Sequence, residues 1–289
     1  MSTSEKKINR KSSLVQLHDT KLHIVEMGSG TPLIILHGGP GLDHHEFADY
    51  LDKLATDYRL IFVDQRGQGK SELPDPSTWT LKQMAHDVTE LAEKLQLQEY
   101  FVLGHSYGAF VALQQAVDFP GKAKKTIISN GVPSSKYLAI VEQNLKNFEP
   151  VELREIVAKS WEKEKTAETS KDFAELMEEQ FPFHFKDPLN PIIKEYLEKT
   201  KETVYSPNIL RHFSSEDYGS IEVEDQLDKI TQPTLVMTGR FDRVCSVEAA
   251  EAMTKNIPNA KLKIFENSAH MEFVEENELY IQTVRDFLK

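Results

Sequence analysis

The stretch Gly-His-Ser-Tyr-Gly at residues 104–108 constrains the fold of this 289-residue chain more than any other feature. It follows the apolar run at residues 100–103, and a mainly apolar segment without glycine or proline comes after it. A serine on a sharp strand-to-helix turn holds a strained backbone, and glycines two positions to either side remove clashes with the neighbouring chain. The pattern therefore predicts a buried strand, a tight turn carrying Ser106, and a helix whose N-terminus points at that serine.

Short apolar runs alternate with longer amphipathic segments on both sides of this turn, which is typical of a parallel sheet with crossover helices. The strands are predicted at residues 33–36, 60–63, 101–103, 126–128, 234–237 and 261–265, and the helices at 45–56, 81–95, 109–118, 247–256 and 277–288. Near-continuous apolar strands indicate a sheet covered on both faces. We predict the α/β class, with a mostly parallel, doubly wound sheet.

The region from residue 132 to 226 differs from the rest of the chain. It is charged, has helical periodicity and contains no clear buried strand. A separate C-terminal domain would not explain why strands return after it. We therefore predict a helical cap at 132–226, inserted into a core formed by residues 1–131 and 227–289.

A serine hydroxyl needs a base to take its proton and a carboxylate to orient that base. Asp242 and His270 each follow a predicted strand, where sites on α/β sheets gather, and they come after Ser106 in the order that this chemistry requires on such a sheet. Glu266 and Asp64 are rival acids, although Asp64 precedes the serine and breaks that order. We predict a catalytic triad of Ser106, Asp242 and His270.

An acyl-transfer site also needs two main-chain N–H groups for the oxyanion. Tyr107, the residue after the serine, is the candidate for the first. The loop His-Gly-Gly-Pro-Gly at residues 37–41 follows a buried strand, and its glycines let the backbone turn its amides toward the site. Gly39 is the candidate for the second donor.

Composition and other motifs narrow the function classes. The net charge of −12 argues against a nucleic-acid partner. Neither a membrane span nor a secretion signal is expected, and the single cysteine, Cys245, fits a cytoplasmic protein. The Gly-Lys-Ser at 69–71 lacks the first glycine of a phosphate-binding loop, and His37, His44 and His45 lack a second ligand set at metal spacing. We expect no cofactor and no metal.

The loop at 37–41, the segment Asp-Gln-Arg-Gly-Gln-Gly-Lys-Ser at 64–71 and the Ser106 turn together resemble the α/β-hydrolase superfamily. Within it they are similar to proline iminopeptidases and tricorn-interacting aminopeptidases. The resemblance covers both core halves. It implies a serine peptidase that removes an N-terminal residue, often proline, from a small-molecule or short-peptide substrate under a helical cap. Arg66 is expected to tie the core together.

In that family acidic groups bind the free α-amine of the substrate. Here Arg243 follows Asp242, and a cation at this point would repel an ammonium group. The cap carboxylates of Glu216 and Asp217 are the candidates that would compensate. Trp161, residues 181–185 and Tyr218 are candidates for an apolar wall of the pocket. Glu216, Arg243 and Trp161 are thus the substrate-binding candidates.

Two alternatives to the aminopeptidase remain open. The same machinery could act on small apolar esters or lactones, which Arg243 favours because such substrates carry no amine. A noncatalytic receptor with the same fold could bind a ligand in the cap cavity. A complete triad favours an enzyme over the receptor.

Overall fold

The computed structural model describes residues 9–215 and 221–289, and these residues form one eight-stranded sheet. The strands are β1 (Lys11–Gln16), β2 (Lys21–Gly28), β3 (Thr31–Leu36), β4 (Tyr58–Val63), β5 (Phe101–His105), β6 (Lys125–Ser129), β7 (Thr234–Gly239) and β8 (Ala260–Phe265). Their order across the sheet is β1, β2, β4, β3, β5, β6, β7, β8. The strands from β3 to β8 pair in parallel, and β2 pairs antiparallel with both β1 and β4. The predicted mostly parallel α/β sheet is confirmed.

Sequence reasoning did not assign β1 and β2. The side chains of β1 are exposed or half-buried at the edge of the sheet, so it has no apolar face to signal a strand. In β2 the polar residues His23 and Glu26 interrupt the apolar run. His23 is nevertheless buried, because its ring is hydrogen-bonded to Asp64. A buried strand is therefore not recognised from its apolar pattern when one of its polar side chains is hydrogen-bonded to a residue far away in the sequence.

Helices cover both faces of the sheet. Outside the segment between β6 and β7 they are α1 (Leu81–Lys94), α2 (Tyr107–Asp118), α8 (Val247–Asn256), α9 (Glu272–Glu275) and α10 (Asn277–Leu288). Side chains of α1, α2 and α8 share an apolar cluster with Ile34, Leu36 and Val102. Those of α9 and α10 share another with Leu33, Ile35 and Leu103. Successive strand residues point to opposite faces, so each strand contributes to both clusters.

The predicted helix at residues 45–56 is wrong. The structure has two short 3-10 helices there, His44–Phe47 and Asp52–Thr56. Asp43 begins the first by accepting a hydrogen bond from the His45 N–H at 2.9 Å. Ala48 ends it with φ of 44°, a backbone conformation that cannot continue a helix. The side chain of Glu46, in the first of these 3-10 helices, is buried.

The helices between β6 and β7 are α3 (Ile140–Lys146), α4 (Val151–Glu164), α5 (Ser170–His184), α6 (Ile192–Lys199) and α7 (Pro207–Ser214). Phe181 of α5, Phe185 directly after that helix and Tyr196 of α6 pack into the α9–α10 face of the core. The limits 132 and 226 of a separate cap remain a prediction. No helix among residues 9–215 and 221–289 is long and apolar enough to cross a membrane.

Arg66 joins three parts of the core behind the site. Its fully buried guanidinium donates two hydrogen bonds of 2.7 Å to Asp87 of α1 and two, of 2.7 and 3.0 Å, to Asp19 of the β1–β2 turn. Bidentate pairing of this kind satisfies a buried guanidinium that would otherwise be costly to desolvate. Arg66 is thus anchored within the core.

Candidate active site

Ser106 lies at the carboxyl end of β5, on the turn that leads into α2. Its backbone has φ of 53° and ψ of −120°. A Cβ atom at Gly104 would lie 2.1 Å from the carbonyl oxygen of Gly108, and one at Gly108 would lie 2.3 Å from that of Leu36. Both positions therefore need glycine, which lets the first turn of α2 press against the ends of β5 and β3.

Ser106, His270 and Asp242 form one chain of hydrogen bonds. The hydroxyl group of Ser106 donates to His270 Nε2 across 2.9 Å, and His270 Nδ1 donates to Asp242 Oδ2 across 2.8 Å. Asp242 follows β7 and His270 follows β8, so the carboxyl ends of three parallel strands supply the three side chains. The carboxylate fixes the ring in the tautomer whose Nε2 can accept the serine proton.

Three further donors hold the carboxylate of Asp242. Asn130 Nδ2 donates to Oδ2 at 2.7 Å, and the N–H groups of Val244 and Cys245 donate to Oδ1 at 2.8 and 3.0 Å. Burial opposes ionisation, but the neighbouring His270 and these hydrogen bonds outweigh it and hold the pKa of Asp242 below its usual range. The carboxyl group of Asp242 is therefore held in its charged form.

The two rival acids are engaged elsewhere. Glu266 is exposed and pairs with Arg240 through hydrogen bonds of 2.8 and 2.9 Å. Asp64 accepts from the rings of His23 and His44. Neither makes a hydrogen bond to His270 among the described residues.

The loop at residues 37–41 is anchored on both sides of Gly39. The N–H of Gly38 donates to Glu46 Oε2 at 2.5 Å, and that of Gly41 donates to Gln68 Oε1 at 2.6 Å. Pro40 has no N–H. The N–H of Gly39, in contrast, has no hydrogen-bond acceptor among the described residues. Its φ of 110° is open to glycine but strained for other residues.

Tyr107 is the first residue of α2, so its N–H has no acceptor within that helix. Gly39 and Tyr107 both contribute to the wall of the cavity that contains Ser106. Neither the N–H of Gly39 nor that of Tyr107 has a hydrogen-bond acceptor among the described residues, and their role as oxyanion donors stays a prediction.

Two neutral imidazoles flank the ring of His270. The ring centroids of His105 and His184 lie 5.1 and 5.3 Å from it. Burial lowers the pKa of His184 to about 3 and that of His105 well below its usual value. Both rings are therefore neutral at neutral pH and place no positive charge beside His270.

Ser106 and His270 open into a cavity of about 670 Å³ between the sheet and the helices that follow β6. Its wall is mostly apolar, with Leu42, Phe110, Leu138, Val141, Trp161, Phe173, Met177, Phe181, Leu210 and Met271. Among the described residues, the ionisable side chains on the wall, other than His270, are Glu46, Glu164, Lys136, Lys165, His184, Tyr107 and Cys245. The cavity can hold a small molecule or a single residue of a peptide.

The three substrate-binding candidates have different outcomes. Trp161 lines the cavity. Glu216, like Asp217 and Tyr218, lies outside the described residues. Arg243 is not on the described cavity wall. Its guanidinium donates to the carbonyl oxygens of Phe183, Phe185 and Lys186 and lies over the ring of Phe148, with 4.9 Å to the ring centroid. Arg243 therefore holds the end of α5, and the repulsion of a substrate amine by its charge stays a prediction.

Two residues of the site were missed in the sequence. Asn130 directly follows β6, and a polar residue at the carboxyl end of a predicted strand was a signal that could have found it. Glu46 gave no such signal, because it falls in the segment predicted as a continuous helix. In the structure it lies in the short 3-10 helix His44–Phe47 and accepts a hydrogen bond from the N–H of Gly38 in the 37–41 loop.

His23, His44 and Asp64 form one of three clusters of potential metal ligands among the described residues; the others are Asp43, His44 and His45, and Asp242, Cys245 and His270. Their potential ligand atoms lie within 4.8 Å of one another, so His44 has partners that sequence spacing did not reveal. Asp64 Oδ2 and Oδ1 accept from the two rings at 2.8 and 2.6 Å, and the N–H groups of His44 and Lys70 donate to it as well. These four hydrogen bonds satisfy the buried carboxylate of Asp64, so it serves as an anchor that joins His23, His44 and the Lys70 main chain.

Comparison with known proteins places this geometry in a family. Residues 31–277 match the α/β hydrolase fold family. The chain is 33% identical to a proline iminopeptidase of Clostridium botulinum, with 90% of each chain covered, and 32% identical to one of Saccharolobus solfataricus, with 93% of this chain and 87% of that one covered.

Solved structures agree in fold. A hydrolase of Bacillus anthracis has a TM-score of 0.80 at 21% identity, covering 96% of this chain and 99% of that chain. An esterase of Exiguobacterium antarcticum has a TM-score of 0.71 at 27% identity, with 96% of this chain and 99% of that chain covered. A proline iminopeptidase of Mycobacterium smegmatis has a TM-score of 0.74 at 22% identity, with 96% of this chain and 97% of that chain covered. The chain belongs to the α/β-hydrolase family and is a relative of its proline iminopeptidases.

Proposed function

We propose that this protein is a serine hydrolase that works through an acyl-enzyme and releases the N-terminal residue of small peptides, as its proline iminopeptidase relatives are named for doing. The observation that carries the proposal is the hydrogen-bonded chain from Ser106 through His270 to Asp242. Such a chain turns a weakly nucleophilic hydroxyl into one that can attack a carbonyl carbon.

The first half of the reaction makes the acyl-enzyme. His270 Nε2 takes the proton of Ser106 as Oγ bonds to the carbonyl carbon, and the carbonyl oxygen becomes an oxyanion facing the N–H groups of Gly39 and Tyr107. Asp242 stabilises the imidazolium through its hydrogen bond to Nδ1. His270 then gives its proton to the leaving amine as the bond between carbon and nitrogen breaks.

The second half restores the enzyme. Water replaces the amine, His270 removes its proton, and the new oxyanion forms in the same place. The His270 proton then returns to Ser106 as the acyl group leaves as a free acid. Burial keeps the rings of His105 and His184 neutral, so neither places a positive charge beside the imidazolium of His270.

The favoured substrate is a short peptide or small amide with a free amine. A cavity of about 670 Å³ suits one residue rather than a long chain, and the carboxylates of Glu46 and Glu164 on its wall could balance an ammonium charge. The relatives named proline iminopeptidase make proline the first residue to test.

A second candidate is hydrolysis of small apolar esters. The predominantly apolar wall favours it, and a solved esterase of Exiguobacterium antarcticum shares the fold. The same nucleophile, base and oxyanion donors would serve, since ester and amide cleavage pass through similar tetrahedral intermediates.

The test is a pair of initial-rate assays, one on a prolyl aryl amide and one on a short-chain aryl ester, with Ser106→Ala beside the parent. We expect the variant to lose activity by roughly 10⁴-fold or more, because no other group can form the acyl-enzyme. Turnover of the prolyl amide supports the aminopeptidase, and turnover of the ester alone supports the esterase. Equal activity in variant and parent would refute the mechanism, and inactivity on both substrates would favour the ligand receptor.

A further inference from the structure

An enzyme that releases an N-terminal residue must hold the substrate's ammonium group close to its nucleophile. The α-nitrogen is one atom removed from the scissile carbonyl carbon, about 2.5 Å away from it by standard backbone geometry. The attacking oxygen stands about 3 to 3.5 Å from that carbon before reaction. The group that binds the ammonium must therefore lie within a few ångströms of Ser106, which limits the choice on the cavity wall.

Glu46 meets this limit. A Cβ atom placed on Gly38 would lie 2.7 Å from Glu46 Oε1 and 3.1 Å from Ser106 Cβ, so those two atoms are no more than about 6 Å apart. Glu46 also lines the cavity that contains Ser106. Its carboxylate thus stands beside the nucleophile at the distance that an N-terminal residue spans.

One oxygen of this carboxylate is available to a ligand. Oε2 accepts the hydrogen bond from Gly38, whereas Oε1 accepts none from the described residues, and its nearest ring nitrogen, His105 Nε2, is 3.9 Å away. The titratable neighbours among the described residues are His105, whose ring is neutral, Asp43, and three tyrosines, Tyr196, Tyr205 and Tyr280. The hydroxyl group of Tyr196 donates to the main-chain oxygen of Glu46. None of them supplies a positive charge.

Among the residues that the structure describes, Glu164 is the other glutamate on the cavity wall, and its two oxygens already accept hydrogen bonds. Gln180 Nε2 donates to Oε1 at 2.9 Å, and the hydroxyl group of Ser214 donates to Oε2 at 3.0 Å. These contacts join α4 to α5 and α7. The next residue, Lys165, also faces the cavity and brings a positive charge to that side.

We propose that Glu46 binds the α-ammonium group of the substrate, with Oε1 accepting its hydrogen bond, and so makes the site selective for a free N-terminus. This inference rests on the proposed aminopeptidase function and adds the residue that would recognise the amine. In a dry cavity a carboxylate and an ammonium group form a strong charge-assisted pair.

The ionisation of Glu46 is consistent with this role. Burial raises the pKa of its carboxyl group to about 8, with the hydrogen bond from Gly38 opposing the shift and the charge of Asp43 adding to it. An arriving cation stabilises the charged form, so binding at neutral pH would expel the proton. A ligand without the amine would leave the proton in place.

The test measures ligand binding by calorimetry in the Ser106→Ala background, where no turnover interferes. The probes are L-prolinamide and cyclopentanecarboxamide, which has carbon in place of the ring nitrogen. We expect prolinamide to bind at least about tenfold more tightly, and Glu46→Gln to abolish most of this preference because Gln carries no charge. Gln keeps an acceptor for the Gly38 N–H. Glu162→Gln, at an exposed site on α4, is the matched control and should keep the preference.

Several outcomes would overturn the inference: equal binding of the two probes, a preference that survives Glu46→Gln, or one that disappears only in Glu164→Gln. A second readout needs no change at position 46. Calorimetry in two buffers at pH 7 should detect release of about one proton on binding prolinamide and none with the carbon analogue, and equal proton counts would contradict the inference. Failure of the parent enzyme to cleave prolyl amides would refute the proposed function instead, and the binding assays detect that case separately.

Discussion

At the scale of single residues, the backbone conformation of Ser106 lowers the stability of the fold and positions the serine hydroxyl group. Its positive φ and its ψ of −120° place a serine in a region that glycine occupies far more readily. A strained residue of this kind costs roughly 1 to 3 kcal/mol, which the surrounding packing must offset. The hydroxyl group is thereby held above the end of the sheet, within reach of His270.

This strain leads to a prediction about stability. We expect Ser106→Gly to unfold at a temperature no lower than Ser106→Ala, although glycine normally costs about 1 kcal/mol relative to alanine through chain entropy. Relief of the strained backbone should compensate for that cost. Thermal unfolding of both inactive variants checks it. A clearly lower midpoint for the glycine variant would mean that the turn is not strained.

The residues of the site differ in how far the sequence could predict them. Ser106, Asp242 and His270 each follow an apolar run, and their order along the chain is itself a signal, so their proximity could be predicted. The donor Asn130 and the carboxylate Glu46 act through contacts with distant loops. Arg243 could not be judged from its neighbour Asp242, because its partners are the carbonyl groups at the end of α5.

At the scale of elements, the close approach of two loops places the base beside its acid. Gly239 ends β7, and a Cβ atom there would lie 1.9 Å from the carbonyl oxygen of Ala269 and 2.6 Å from that of Ser268. The loop that carries His270 therefore rests directly on the strand that leads to Asp242. Pattern analysis finds the strands but not this contact, which depends on how two strand ends meet.

We expect Gly239→Ala to lower kcat by roughly 10 to 100-fold, because the added methyl group must push the His270 loop away from Asp242 and Ser106. Steady-state kinetics on whichever substrate the parent cleaves measures the effect. Gly121→Ala is a suitable control, since its φ of 74° makes alanine strained at a position where Thr231 is the near neighbour. That variant should lose stability and keep kcat. If the Gly239→Ala enzyme kept its full kcat, the loop that carries His270 would be able to accommodate the methyl group without moving His270.

At the scale of the whole molecule, buried carboxyl groups make stability depend on pH. The pKa of Glu46 rises to about 8 and that of Glu275 to about 7, in both cases mainly because of burial. The folded protein therefore holds protons that the unfolded chain releases between the ordinary carboxyl pKa and these values. Stability from these groups is present at the acidic end of that window and is lost as the pH rises through it.

We expect Glu46→Gln to become more stable relative to the parent as the pH is raised from about 5 to about 9, because Gln has no proton to lose. Chemical denaturation of both proteins at the two pH values measures the difference, and the contribution of Glu275 is common to both. Glu162→Gln, which changes an exposed carboxylate, should show no such trend. A constant difference for Glu46→Gln across the range would place its pKa near the ordinary value.

The pairing of β6 directly with β7 has a consequence for how such a protein can diversify. Ser129 lies opposite Met237 in that pairing, although helices α3 to α7 separate the two strands along the chain. Those helices could be lengthened, shortened or exchanged without altering the strand register that aligns serine, histidine and aspartate. Proteins that descend from one ancestral gene could in this way change their substrate specificity while the sheet keeps the same three side chains aligned.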